Sequence, residues 1–286
     1  MDIRTFYKYK TINEYTLDSL KNKYFYYSQQ KQLDDPFDMY TPVDILEKEK
    51  EIRELFKRYP DLAKIYTVDS YRKKQKEAQT DEDYHKRFLE STQMFHVLCL
   101  TPVCDNDVMW ALYANNYKGI AIGYKVGKES NNYFISLGKK REINHQRKFL
   151  LEQGCDRFYE NPDLRIILTP VIYDLSKIKR FNLLMDNYEE MLENEFIKKT
   201  LWSFEKEFRS VIISPEHRDK HLKIYYPDEA LSEIIFGYKT PDTDIKKVID
   251  LVKKEYANID KIKFFKIVPN INKSMLEKKT LVFIER

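Results

Sequence analysis

The segment holding Trp202, Glu205, Glu207 and Arg209 is the densest chemical signal in the sequence, with acid groups leading into an apolar run expected to be a buried strand at 207–214. In an extended chain Glu205 and Glu207 fall on the same side, about 7 Å apart by strand rise. A carboxylate at a strand mouth can hold a sugar hydroxyl or stabilise an oxocarbenium-like cation, while its neighbour orients a nucleophile. Arg209 shares that side and can neutralise one acid or grip a phosphate with two N–H groups. A surface strand edge laced with salt bridges would show the same spacing.

Three further clusters are candidates for the same work. Tyr7, Lys8 and Tyr9 lie on an alternating run, which turns the two tyrosines to one face and Lys8 to the other. Ser28 closes an aromatic strand at 24–28, and Asp35-Pro36-Phe37-Asp38 follows in a loop kept extended by the Asp-Pro step. Trp110, Tyr113 and Tyr117 recur at helical spacing. That stripe suits an aromatic core, or a wall on which a planar ligand stacks.

Other chemistries are poorly served. With 6 Gly in 286 residues there is no Gly-rich phosphate cradle. His85, His96, His145, His217 and His221 show no metal-binding spacing on a helix; His217 and His221 are four apart but sit in a solvent-like stretch, so no metal is expected. Asp35, Asp38 and Glu207 around a metal would make a nuclease, although nothing in their spacing compels it. No serine elbow or Cys–His pair is evident. Cys99, Cys104 and Cys155 lack a Cys-x-x-Cys spacing, which fits a reducing compartment, and Cys99 reads as a small buried hydrophobe.

The net charge of +4 comes from 50 basic and 46 acidic side chains, a near balance that does not indicate nucleic acid. A basic patch at Lys139, Lys140, Arg141, Arg147 and Lys148 suits a solvated helix face or a nucleic-acid contact. No apolar stretch approaches the ~20 residues of a membrane span and the N-terminus has no apolar signal, so a cytoplasmic protein without membrane partners is expected.

These residues need a scaffold, and the patterning supplies one. Strands are expected at 5–11, 24–28, 96–103, 120–126, 165–173, 207–214, 222–226, 233–236, 261–268 and 281–285. Helices are expected near 17–20, 107–117 (capped by Asp105 or Asn106), 142–158, 182–200 and 245–256. Residues 41–92 read as a helical insertion, with Thr41 as cap and Pro42 at the first position. The fold expected for residues 1–286 is one α+β domain, a mixed and largely antiparallel sheet with surrounding helices and that insertion.

In order, these clusters resemble a bacterial family catalogued as domain of unknown function 2971. The features that carry the resemblance are Tyr7-Lys8-Tyr9, the strand to Ser28 with Asp35-Pro36-Phe37-Asp38, the block from Met109 to Gly119, and Trp202 through Arg209. Asp34 stands where Asn is expected, and Phe208 where Trp is commoner. More distantly, their order is similar to that of ADP-ribosyltransferases. The likeness implies a nucleotide ligand, NAD, held by Tyr7, Lys8, Tyr9, Ser28, Asp35, Trp110, Tyr113 and Arg209. It also implies catalysis by Glu207, with Glu205 orienting an acceptor that the sequence does not name. Such an enzyme would suit a toxin or phage-defence effector. The alternative is a non-catalytic module of a defence system that senses a nucleotide or docks a protein.

Overall fold

Alternation and capping set most of the element boundaries. A computed structural model of the chain describes residues 2–44, 46–82, 92–139, 163–179, 181–182, 192–214, 217 and 221–281. In β1 (Asp2–Lys10) Phe6 enters the main core, while Tyr7 and Tyr9 pack on the opposite face. Asn13 accepts from Thr16 N–H to start α1 (Glu14–Lys21), and β2 (Tyr24–Tyr27) follows. After the two-residue β3 (Val43–Asp44) come α2 (Glu49–Arg58), α3 (Pro60–Ile65) and α4 (Val68–Thr80). Next are β4 (Phe95–Leu100), α5 (Asp107–Leu112), β5 (Ile120–Glu129), β6 (Asn132–Lys139), β7 (Asp163–Pro170) and β8 (Phe181–Asn182). The chain continues through β9 (Phe208–Ile213), β10 (Leu222–Tyr225), β11 (Leu231–Phe236), α6 (Asp242–Glu255), β12 (Lys263–Asn270) and β13 (Met275–Thr280).

The architecture is α+β. Among the described residues, nine strands form one mixed sheet in the order β13-β12-β11-β5-β6-β7-β9-β4, with β1 as a third partner paired along β5. All its neighbours are antiparallel except β11 and β12, which α6 connects as a parallel crossover. Tyr7 and Thr101 then exchange backbone hydrogen bonds of 2.7 and 3.0 Å, which ties the end of β4 back to β1. The pairing therefore runs round a circuit of β1, β5, β6, β7, β9 and β4.

Inside this curl Phe6, Leu98, Leu100, Ile122, Ile135 and Ile166 are buried together. At roughly 1.5–3 kcal/mol per large side chain, such burial is the main force holding the curl closed. Gly123 is required where β1, β5 and β11 meet, because a Cβ there would stand 2.8 Å from both Thr5 Cγ2 and Glu233 Cγ.

Several expectations need correction. Thr41 and Pro42 do not start a helix; Thr41 is buried and its hydroxyl accepts from Asn194, so tertiary contact overrides the cap signal. The helix expected at 107–117 stops at Leu112, and Asn115, Asn116 and Tyr117 turn left-handed before β5. Of the helix expected at 182–200, residues 192–194 are helical, but 197–199 are extended and 200–205 form a 3-10 turn. Strands β6 and β13 stand where none is expected; in β13 the charged run Glu277-Lys278-Lys279 masks the alternation. The helix expected at 142–158, the last residues of the strand expected at 281–285, Cys155, His85, His145 and most of the basic patch lie outside the described residues. Among the described residues no helix is long and apolar enough to cross a membrane.

Candidate functional site

A cleft opens where two strands part. Antiparallel β4 bonds to β1 at Thr101 and to Ser28 at Val97, the latter through a pair of 2.8 Å hydrogen bonds. Between these two ties β4 leaves β1. Because ladder partners alternate along an edge, the main-chain N–H and C=O of Cys99 and of Tyr9 turn into the gap. The resulting cleft has a volume of about 920 Å³, at the upper end for small-molecule sites.

Buried charges form its floor. Lys198 Nζ stands 2.6 Å from Glu205 Oε2, 3.3 Å from Glu207 Oε2 and 3.2 Å from Asp38 Oδ2. Arg209 donates from Nε to Glu207 Oε1 at 2.8 Å, and from one terminal nitrogen to Glu207 Oε2 at 3.0 Å and Asp38 Oδ2 at 2.6 Å. Its other terminal nitrogen donates to the Glu195 carbonyl. Glu205, Glu207 and Arg209 are 4, 5 and 0% exposed, so this is a buried network and not a surface strand edge. Tyr113 Oη donates to Glu205 Oε1 at 2.5 Å.

The protonation of these groups follows from burial set against charge. Burial alone would raise Glu207, but Arg209 and Lys198 outweigh it and hold its carboxyl well below the usual range. Glu205 is raised, first by burial and then by the Glu207 charge, against Lys198 and Tyr113. Glu195 is raised far more, by burial and by Asp38. Burial pushes the Cys99 thiol, which donates to Glu207, up to about 12. Counted with Glu205 ionised, the form that Lys198 and Tyr113 favour, three carboxylates (Asp38, Glu205, Glu207) meet two cations (Lys198, Arg209), an excess of one negative charge on the floor.

The acid pair is brought together differently from the strand geometry expected. Glu205 ends the 3-10 turn, Lys206 takes a left-handed conformation with φ of 45°, and Glu207 precedes β9. That reversal points both carboxylates at Lys198. Tyr173 Oη accepts the Glu207 N–H at 2.7 Å and fixes the junction.

Of the candidate residues, Tyr7, Lys8, Tyr9, Ser28, Asp35, Tyr113, Glu205 and Glu207 line the cleft. Two do not. Trp110 is fully buried, its indole N–H on the Cys104 carbonyl and its ring edge-on to Tyr9, so it backs the wall rather than forming it. Arg209 lies fully buried behind Glu207 with four of its five N–H donors on Glu207, Asp38 and Glu195, which leaves too few for a two-pronged grip on a phosphate. Tyr117 turns away and donates to Asp107. Asp35 braces the rim, accepting from Phe37 N–H, the Trp202 indole and Lys199. Asp35, Asp38 and Glu207 are thus each bound to a cation, and among the described residues no group of three His, Cys, Asp or Glu side chains is placed to hold a metal.

Sequence reasoning missed Lys198, Glu195 and Tyr173. Lys198 follows Phe196 and Ile197 in a segment with no chemical motif, and only its position between three carboxylates marks it. Behind the wall it also missed Glu233, which accepts from Tyr7 Oη and from Lys278, each at 2.8 Å.

No curated protein and no solved structure matches the chain. Residues 109–210, a stretch that begins beside Trp110 and ends just past Arg209, match the family described as Protein of unknown function (DUF2971).

Proposed function

We propose that the cleft binds NAD and transfers ADP-ribose to an acceptor. The observation that carries this reading is the Glu205–Glu207 pair, buried on the floor of a large cleft beside Tyr113 and left with excess negative charge. Such a floor favours a cation over a neutral ligand. In ADP-ribosyl transfer the bond between the ribose and nicotinamide breaks, nicotinamide leaves neutral, and positive charge develops on the ribose ring. The acceptor then bonds to that carbon and loses a proton.

In this reading the two acids take different roles. Glu207 takes four donors and acts as a fixed negative charge beneath the sugar. Glu205, with fewer donors and a raised proton affinity, is suited to hold a ribose hydroxyl and take the acceptor's proton. The main-chain N–H and C=O of Cys99 match the donor and acceptor of a carboxamide, and the Tyr113 ring can flank the nicotinamide.

The test is release of nicotinamide from labelled NAD, with and without cell extract. Glu205→Gln and Glu207→Gln should each lower it at least about 100-fold. Wild-type protein that neither consumes NAD nor labels any acceptor would sink the proposal. The saturation of Glu207 favours a second reading, a sensor that binds a nucleotide without turnover. Thermal stabilisation by NAD with no nicotinamide release selects it.

A further inference from the structure

The β1 side of the cleft carries two cations that the acidic floor does not use. Lys8 and Lys10 are two residues apart on a strand, so they project from one face about 7 Å apart, and both line the cleft. Beyond the main-chain ladder to β5, neither ammonium group forms an ion pair or hydrogen bond with a described residue.

The acids nearby are committed elsewhere. Asp18 accepts from Tyr24 and Asn22 and stands 3.5 Å from Lys223. Asp35 is taken by Lys199 and Trp202, and the floor acids by Lys198, Arg209 and Tyr113. Glu14 and Asp34 also line the cleft, and neither is within ion-pair distance of either lysine. Burial and then the charge of Lys8 push the Lys10 ammonium down to about 8, with Cys99 acting the other way. A half-buried ammonium lacking a counter-charge gains from any anion delivered to it.

We propose that Lys8 and Lys10 form a subsite for a diphosphate group. Two adjacent phosphates offer two negative centres, and the flexible lysine stems let both ammonium groups converge on them. The acidic floor repels the same group, which fixes a ligand's direction: diphosphate toward β1, cationic end toward Glu205 and Glu207. The inference deepens the NAD reading and rests on it for the identity of the whole ligand, but not for the presence of the anion subsite.

Calorimetric titration of the full chain with pyrophosphate, ADP and adenosine tests it. Pyrophosphate and ADP should bind, and adenosine should bind at least tenfold more weakly than ADP. If adenosine matches ADP, the diphosphate is not what is recognised and the proposal is overturned. Lys10→Met should weaken pyrophosphate about tenfold to a hundredfold, Lys10→Arg should restore most of it, and adding Lys8→Met should abolish it. Melting of each variant checks the fold, and Lys10→Met should melt no lower than wild type because it removes a half-buried, unpaired charge. Pyrophosphate that fails to bind wild type, or binds Lys10→Met equally well, also overturns the subsite. Lysine-dependent pyrophosphate binding without NAD turnover leaves the subsite standing and removes the transferase reading; turnover indifferent to both lysines does the reverse.

Discussion

Tyr113 Oη and Glu205 Oε1 meet at 2.5 Å across 92 residues of sequence, joining α5 to the turn before β9. The contact turns an aromatic helix face and an acid-rich turn into one wall of the cleft. The hydroxyl stabilises the ionised form of Glu205, so Tyr113→Phe should raise the Glu205 proton affinity further. If turnover needs ionised Glu205, the acidic limb of the pH–rate profile moves to higher pH in Tyr113→Phe, while the melting temperature changes little. An unmoved limb would separate Glu205 from the rate.

Arg209 is the counter-charge for two buried carboxylates, so its loss is costly. Arg209→Met should destabilise by about 3–5 kcal/mol, since it leaves Glu207 and Asp38 buried against Lys198 alone. Glu207→Gln keeps an acceptor for Arg209 and should cost about 1–3 kcal/mol. Urea unfolding of both variants measures the difference, and equal costs would mean that Arg209 is not the keystone.

Stability should peak on the acid side of neutrality. Glu195 holds its proton more tightly folded than unfolded, as does Glu205. Their contribution is complete below the unfolded value of about 4.3 and is lost as pH rises through their folded values. Glu207 is depressed, so its contribution is present above that unfolded value and fades as pH falls toward its folded one. Melting temperature should therefore rise from pH 8 toward pH 5 and fall again below about pH 4. Glu195→Gln should flatten the alkaline side of that curve.

Lys206 is exposed and left-handed between the two catalytic candidates. A side chain there costs about 1 kcal/mol that glycine does not. Lys206→Gly should match or exceed wild type in melting temperature, whereas Lys206→Val should fall below it by about 1 kcal/mol or more and disturb the Glu205–Glu207 pair. Denaturation of the two variants side by side reads the difference.

Much of the frame was readable because it rests on local rules. The alternation of Phe6 to Tyr9 places the tyrosines opposite the core, Asn106 caps α5 through Val108 and Met109, and the spacing of Ile245, Val248, Ile249 and Val252 buries one face of α6. Local rules failed where a distant partner decided the outcome. Thr41 looks like a cap and is buried beneath Asn194; Trp110 looks like a ligand platform and supports Tyr9 from behind.

The sequence by itself determined the strand and helix periodicities, the α+β class and the types of residue available for chemistry, because propensity and alternation act within a few residues. Tertiary structure alone decided which of those residues meet. Lys198 gathers Asp38 from one stretch of chain and Glu205 with Glu207 from another, and the parting of β4 from β1 opens the cleft above them. Neither event leaves a local trace, since long-range pairing and the exclusion of water, not spacing, turn a row of acids into a charged floor.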